Sequence, residues 1–122
     1  MKTILVLVAA LGGLGAAQAR LPQNSERVLI AYMEVKAGTE PDFLRSAQRV
    51  IEESRKETGN IRYQLHQSVA HPQQFVFYEF FKSDGDLQYH RYSPHVLAFL
   101  KQTKPITLKF TLEEYIPQGD LQ

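Results

Sequence analysis

The sequence predicts one α+β domain with a ferredoxin-like βαββαβ arrangement and a four-stranded antiparallel sheet. Apolar strand segments and helical segments follow in the order strand, helix, strand, strand, helix, strand, which is the split βαβ plan. A chain of 122 residues has the size of a single domain. The sequence contains no cysteine, so the fold needs no disulfide, and thiolate chemistry is excluded.

The first 19 residues differ in composition from the rest of the chain. Lys2 is their one charged side chain, an apolar run extends from residue 4 to residue 17, and Ala17-Gln18-Ala19 ends the segment, as in a cleaved signal peptide. A membrane anchor is the alternative, but a span needs about 20 apolar residues, and glycines at positions 12, 13 and 15 weaken this run. We therefore expect an exported, periplasmic protein whose mature chain begins at Arg20 and has no stable membrane association.

Three segments follow the signal peptide (residues 1–19). The sequence predicts a flexible lead-in at residues 20–26, one folded domain at 27–117 and a loose tail at 118–122. The chain has 14 Lys+Arg against 13 Asp+Glu, so loss of Lys2 leaves the mature chain close to neutral. Surfaces that bind nucleic acid carry a basic excess, and no glycine-rich phosphate loop follows a strand segment. Neither nucleic acid nor a nucleotide is therefore an expected partner.

The first strand and the first helix open the domain. Residues 28–35 are apolar on both alternating faces, which is typical of a strand covered on both sides. Thr39 and Asp42 are spaced as a capping pair with Pro41 in the first turn, and Gly59 is placed as the C′ residue of the helix. The apolar face of this helix is predicted to consist of Phe43, Ala47, Val50, Ile51 and Ser54.

Residues 61–81 predict an antiparallel hairpin. Its first strand directs Ile61, Tyr63 and Leu65 to one face and places His66 on the other. Pro72 belongs to the turn, because proline cannot donate to a central ladder. The second strand is apolar on both faces, with Phe75, Phe77, Glu79 and Phe81 on one side and Val76, Tyr78 and Phe80 on the other.

A second capping pair, Ser83 with Asp86, begins the next helix. Leu87 and His90 are three residues apart and therefore share its inner face. Ser93-Pro94 is the pattern of a new N-cap and N1 residue, so we expect the helix to kink and restart there. The last strand, residues 106–116, alternates apolar and polar residues, and one of its faces is expected to be wet.

Two helices can cover only one face of a four-stranded sheet. The opposite face would expose apolar side chains of the first and third strands, including Tyr78 and Phe80, and such a patch exceeds what monomers usually expose. We therefore predict a homodimer formed by sheet-to-sheet contact.

Three motifs occur in order along the domain: Gly59-Asn60 with Tyr63, Glu79 followed by an aromatic residue, and His90 followed by Ser93-Pro94-His95. Together they resemble the antibiotic biosynthesis monooxygenase (ABM) domain family, and most of all its quinol monooxygenase-like members, over residues 28–115. The resemblance implies a dimeric α+β barrel. It also implies oxidation of a quinol, a polycyclic phenol or haem without flavin or metal, so no cofactor is expected.

The resemblance further implies a cavity between the sheet and the helices. The implied catalytic residues are His90 and Glu79, and the implied substrate-binding residues are Asn60, Tyr63, Phe77 and Phe81, with Asn60 and Tyr63 at the rim. Many oxygenase members have Trp where this chain has Phe81, and some have a cavity Asn where it has Phe77. These departures argue against oxidation of haem or anthrone by the usual route.

These residue types suit oxygenation without a cofactor. Removal of a proton from a quinol or phenol gives an electron-rich anion that can reduce O₂, and the site must supply a base, apolar walls and exclusion of water. His90 fits the base, because histidine titrates nearest neutrality. Glu79 could orient that ring, or take the proton itself if burial raises its pKa. Two alternatives stay open: a cavity that binds a small aromatic or haem-like ligand without turnover, and a filled core in which the pair is only structural.

The spacing of the histidines argues against a metal site. His90 and His95 are five residues apart with a proline between them, which spoils the i,i+4 geometry of two ligands on one helix. His66 and His71 flank a turn. We therefore expect no metal.

Overall fold

The computed structural model describes residues 25–118, so the predicted signal peptide and the ends of the flanking segments lie outside the described residues. Within this range the elements are β1 (Arg27–Val35), α1 (Glu40–Arg55), β2 (Asn60–Gln67), β3 (Gln74–Phe81), α2 (Asp84–Arg91), α3 (Pro94–Thr103), a 3₁₀ turn (Lys104–Ile106) and β4 (Thr107–Tyr115). The strands form one antiparallel sheet in the order β2-β3-β1-β4. The predicted ferredoxin-like α+β fold is confirmed.

The core lies between the sheet and the helices. Alternate residues of β1 and β3 point to this side and are buried, namely Leu29, Ala31, Met33, Val35, Phe75, Phe77, Glu79 and Phe81. From α1, Phe43 packs against Phe75 with 4.4 Å between ring centroids. From α3, Phe99 meets Phe77 edge-on at 5.6 Å. Glu79 is therefore one ionisable group in an otherwise apolar row along β3.

The apolar face of α1 is as predicted, but its two ends are stabilised differently. Thr39 occupies the N-cap without a capping hydrogen bond, because its hydroxyl donates to the Lys36 carbonyl at 2.6 Å. The helix ends at Arg55, so Gly59 is not its C′ residue. Gly59 is instead needed for close packing, since a Cβ at this position would overlap the Asp86 side chain. This contact draws the loop after α1 against the start of α2.

The second helical segment is divided as predicted. Ser83 Oγ accepts a hydrogen bond from the Asp86 amide at 3.0 Å and donates one to the Asp86 carboxylate at 2.8 Å. Leu87 and His90 are buried on the inner face of α2. Ser93 then begins α3, but its hydroxyl donates to the His90 carbonyl at 2.6 Å and does not cap the new helix. The break therefore ties the start of α3 to the end of α2.

The edge strand β4 differs from its prediction. One wet face was expected, yet every residue from 108 to 115 is exposed. The reason is its position at the edge of the sheet, where α2 and α3 leave its helix-side residues uncovered. Among residues 25–118, no helix has the length and apolar character required to cross a membrane.

Candidate active site

A cavity of about 260 Å³ lies between the sheet and the α2–α3 pair. Its lining is mostly apolar and comes from β1, β2, β3, β4, α2 and α3. Buried Tyr63, Phe77, Glu79 and His90 form its floor, whereas the exposed Leu97, Phe110 and Leu112 mark its mouth. The cavity thus has hydrophobic walls and one pair of ionisable groups at its inner end.

The ionisable pair is formed by the middle of the sheet and the inner face of α2. Glu79 lies on β3 opposite Tyr63 of β2 and Leu29 of β1. Its Oε1 is 3.2 Å from Nε2 of His90, and both side chains are almost fully buried. Among the described residues Oε1 has no well-formed hydrogen bond, so its contact with His90 is an ion pair.

The other nitrogen of His90 contacts a carboxylate that the sequence analysis did not single out. Nδ1 of His90 is 2.9 Å from Oε2 of Glu57 and 3.1 Å from its Oε1. The same Glu57 Oε2 is 2.5 Å from Nε2 of His95. Ser93 Oγ lies 3.1 Å from that His95 nitrogen. Glu79, His90, Glu57 and His95 therefore form one continuous chain of polar contacts, which we call the Glu–His chain.

The charge of His90 follows from these neighbours. Burial lowers the pKa of an imidazole, but the hydrogen bonds to Glu57 and the close carboxylate charges of Glu79 and Glu57 outweigh this effect and raise the pKa of His90 to about 9. The His90 ring also lies 5.2 Å from the Tyr63 ring and 5.0 Å from the Phe81 ring, tilted against both, and these distances are in the range at which a cation is attracted to an aromatic ring. His90 is accordingly an imidazolium near neutral pH.

The two acidic groups of the cavity floor have raised pKa values. Burial raises the pKa of Glu79, and the nearby His90 only partly offsets this effect. Burial also raises the pKa of Tyr63 well above its ordinary value, with a further contribution from the charge of Glu79. Tyr63 therefore remains a neutral phenol. Glu79 is left as the group whose proton affinity has been increased by its surroundings.

The structure brings together four of the six predicted site residues. His90, Glu79, Tyr63 and Phe77 all line the cavity. Tyr63 lies on the floor and not at the rim, because it faces Glu79 across the β2–β3 ladder. The catalytic and substrate-binding roles of these four residues stay predictions.

Phe81 and Asn60 lie outside the cavity wall. Phe81 packs into a separate cluster with Leu29 and Leu87 beneath α2, so it supports the His90 ring from behind. Asn60 begins β2 at an irregularity in the pairing with β3, and its side-chain amide donates to the Arg62 carbonyl at 3.0 Å. Their predicted places in the cavity differ from the observed ones for these local reasons.

Sequence reasoning missed Glu57 and gave His95 little weight. Glu57 follows the end of α1 in an irregular segment, where no helical or strand period indicates which way a side chain points. The one available signal was its position two residues before Gly59, whose close approach to Asp86 carries Glu57 toward α2. His95 becomes reachable because the break at Ser93 turns it back, 6.1 Å from the His90 ring.

Three side chains of the Glu–His chain lie close enough together to hold a metal ion. Glu57, His90 and His95 each offer a ligand atom within 4.8 Å of the others, so the break before α3 brings the two histidines together despite their five-residue spacing. A metal ion would have to displace the hydrogen bonds that both imidazoles make to Glu57, together with the second proton of His90. The donor set fits a protonated hydrogen-bonded network better than a metal centre.

Comparison with known proteins agrees with this architecture. Residues 27–102 match the family described as "Antibiotic biosynthesis monooxygenase". The chain belongs to the ABM family. The Bacillus subtilis (strain 168) protein "Putative monooxygenase YcnE" is 33% identical over 79 residues, which is 65% of this chain and 83% of that protein.

Solved structures of other proteins share the fold. The structure titled "Putative antibiotic biosynthesis monooxygenase from Nitrosomonas europaea" superposes with a TM-score of 0.72 at 27% identity, over 81% of this chain and 94% of that one. A conserved protein from Methanosarcina mazei Go1 gives a TM-score of 0.74 at 24% identity, over 78% and 95% of the two chains, and this second likeness shows the fold alone. The membership assigns the chain to a family of monooxygenases.

Proposed function

We propose that this ABM protein is a cofactor-independent monooxygenase that oxidises a quinol or related phenol with O₂. The observation that carries the proposal is the Glu79–His90 ion pair at the inner end of an apolar cavity. A flat aromatic ring can occupy the cavity with a hydroxyl group directed at this pair. The apolar walls would exclude water from the anion that forms.

Glu79 is the proton acceptor in this proposal, and His90 is its charged partner. Because His90 already carries both ring protons near neutrality, it is poorly suited to remove a third proton from a substrate. Glu79 lies on the cavity lining and has a pKa raised by burial, which brings a carboxylate closer to the pKa expected of a general base. The His90 imidazolium then stabilises the phenolate by its charge.

The substrate supplies the electrons. After deprotonation the anion passes one electron to O₂, and the resulting radical pair combines to a ring hydroperoxide. Cleavage of its O–O bond leaves one oxygen atom on the oxidised ring and releases the other as water, with both hydrogens of that water coming from the substrate. No external reductant is consumed.

The cavity volume narrows the substrate class. Pockets for drug-sized ligands have volumes of roughly 300–1,000 Å³, whereas this one is about 260 Å³. A substrate with a single ring or two fused rings therefore fits this cavity better than haem or a larger polycycle.

Oxygen uptake by metal-free protein on a panel of small quinols tests the proposal. Glu79→Gln keeps the shape of the side chain but removes the base, so turnover should fall by about 10²–10⁴-fold, while Glu52→Gln on the exposed side of α1 should retain it. Wild-type protein that binds a quinol, with a raised melting temperature but no oxygen uptake, would favour the alternative function of ligand binding without catalysis.

We also propose that the protein forms a homodimer through the open face of the sheet. Tyr32 is 42% exposed on this face, and Ile30, Val76, Tyr78 and Phe80 are only half-buried. Light scattering coupled to size exclusion should give twice the mass of the chain, and Tyr32→Glu should reduce it to the mass of one chain. Tyr89→Glu, on α2, should leave the dimer intact.

Export to the periplasm is a further proposal, supported by the composition of residues 1–19. Amino-terminal sequencing of protein recovered from a periplasmic extract should begin at Arg20. Recovery with Met1 intact would contradict it.

A further inference from the structure

The helix-side face of β4 carries an exposed apolar row that begins at the mouth of the cavity. Phe110 and Leu112 pair with Met33 and Ala31 of β1, which are buried on the helix side, so all four side chains lie on the same face of the sheet. Leu108 shares that face, because side chains alternate along a strand. Leu108, Phe110 and Leu112 are 56%, 40% and 40% exposed, and we call them the β4 row.

The β4 row continues the wall of the cavity beyond its mouth. Phe110 and Leu112 line the cavity together with Leu97 and Leu100 of α3, whereas Leu108 lies two residues, about 7 Å, beyond Phe110 along the strand. The proposed dimer would cover the opposite face of the sheet and would leave the β4 row in water. An exposed apolar patch that adjoins a cavity is typical of a ligand-binding groove.

The two ends of the cavity mouth differ in polarity. Arg91 of α2 lines the cavity, and its Nη1 is 2.8 Å from Oε1 of Glu114. Glu114 follows Leu112 on the same face of β4 and pairs with Leu29 of β1. An ion pair therefore marks one end of the mouth, and the apolar Leu108 marks the other. An apolar group that leaves the cavity toward Leu108 does not remove water from the ion pair, whereas one that leaves toward Glu114 does.

We infer that the substrate is an alkyl-substituted quinol whose hydrocarbon chain lies along the β4 row while its ring occupies the cavity. The inference rests on the proposed function, because it names the substrate class of the same site. The cavity volume of about 260 Å³ suits the ring alone, so a substituent must extend through the mouth. A hydrocarbon chain needs no hydrogen-bond partner, and its contact with the β4 row removes apolar surface of both from water.

A series of hydroquinones with a methyl, propyl or hexyl substituent tests this substrate class. Full burial of one CH₂ group is worth about fourfold in affinity, and a chain that lies on an open row is buried on one side, so each CH₂ group should contribute about twofold. We therefore expect kcat/KM, measured by oxygen uptake, to rise about 30-fold from the methyl to the hexyl compound.

Replacement of Leu108 by glutamine separates the β4 row from general hydrophobicity. Leu108→Gln should lower the ratio of kcat/KM for the hexyl compound over the methyl compound by at least about threefold, because the far end of the chain then meets an amide. Leu44→Gln is the matched control, since Leu44 of α1 is 43% exposed and lies outside the cavity lining. It should keep the wild-type ratio. A wild-type ratio near one, or equal ratios in the two variants, would overturn the inference.

Binding of the corresponding alkyl-substituted benzoquinones gives a readout without turnover, because a quinone has no hydroxyl proton to lose. The chain contains no cysteine that a quinone would alkylate. Calorimetric affinity should rise with chain length in wild type and in Leu44→Gln, and less steeply in Leu108→Gln. If affinity rises in this way but no quinol consumes oxygen, the β4 row binds alkyl chains and the proposed oxygenase is refuted. If the methyl compound is oxidised but chain length changes neither affinity nor kcat/KM, the proposed function stands and this inference fails.

A second copy of the chain is the competing occupant of the β4 row. If the row binds the substrate, Leu108→Gln should have the same mass as wild type in light scattering coupled to size exclusion. A lower mass would show that the row belongs to an interface between copies and would overturn the inference.

Discussion

The charge of His90 predicts a pH dependence of stability. An imidazole whose pKa is about 9 in the folded protein and about 6.5 in the unfolded chain binds its second proton more tightly when the protein is folded. Protonated His90 therefore stabilises the fold. Its contribution to the free energy of unfolding is fully present below pH 6.5 and is lost as the pH rises through about 9. The shift corresponds to about 3 kcal/mol at most.

Roughly half of this contribution should disappear between pH 6 and pH 8, and the remainder by pH 10. In a domain of this size 1 kcal/mol changes Tm by about 4–8 °C, so the full effect should exceed 10 °C. Urea denaturation of wild type and of His90→Gln across this range isolates the effect, because the difference between them removes the contributions of other titrating groups. The free energy of unfolding of His90→Gln should vary much less with pH.

If His90→Gln folds poorly, a direct titration of His90 in the wild-type protein tests the same prediction. The ¹⁵N chemical shifts of the His90 ring should change with a midpoint near pH 9, far above those of ordinary histidines. A midpoint at or below pH 7 would refute the reasoning. It would also return His90 to the list of candidate bases and weaken the assignment of the base to Glu79.

Three other predictions concern the site and its supports. The pH profile of kcat/KM should be bell-shaped. It should rise as Glu79 ionises at a pKa above its ordinary value, and fall near pH 9 as His90 loses its proton. If kcat/KM stayed constant up to about pH 10, that result would contradict the charged state of His90. Gly59→Ala should lower the free energy of unfolding by about 2–4 kcal/mol, because the new Cβ would overlap Asp86 and strain the hydrogen bonds that Asp86 makes with Ser83. Gly85→Ala is the control, since a Cβ there would meet only Ser83 Oγ at 3.7 Å. In chemical denaturation this control should be as stable as wild type or more stable. Ser83→Ala should cost about 1 kcal/mol and Thr39→Ala clearly less, because only Ser83 makes a capping hydrogen bond.

The fold could be predicted from sequence because its signals are local and repeated. Alternation along β3 identified the buried side of Phe75, Phe77 and Glu79, and the capping pair at Ser83 located the start of α2. The pair Glu79 and His90 followed from the same periods, since a strand and a helix each indicate which of their residues face inward. Those predictions required no knowledge of loop conformation.

The remaining part of the site depended on irregular segments. Glu57 and His95 reach His90 through the loop after α1 and the break before α3, where side-chain direction follows from packing and not from a period. Thr39 illustrates the same limit at a helix end, because the sequence cannot show whether a hydroxyl caps the helix or bonds back to the preceding turn. The ends of α1 and the surroundings of His90 were therefore the least predictable features.

The composition of the Glu–His chain argues against a purely structural pair. Burying ionised groups is expensive, and a buried ion pair can often be replaced by apolar residues with no loss of stability. Here two carboxylates and two imidazoles are placed beside a core that Phe43, Phe75 and Phe77 already fill with aromatic contacts. The polar chain begins on the floor of a cavity and ends at a partly exposed histidine. Packing alone does not require a carboxylate at the floor of the cavity, whereas removal of a proton from a bound ring does.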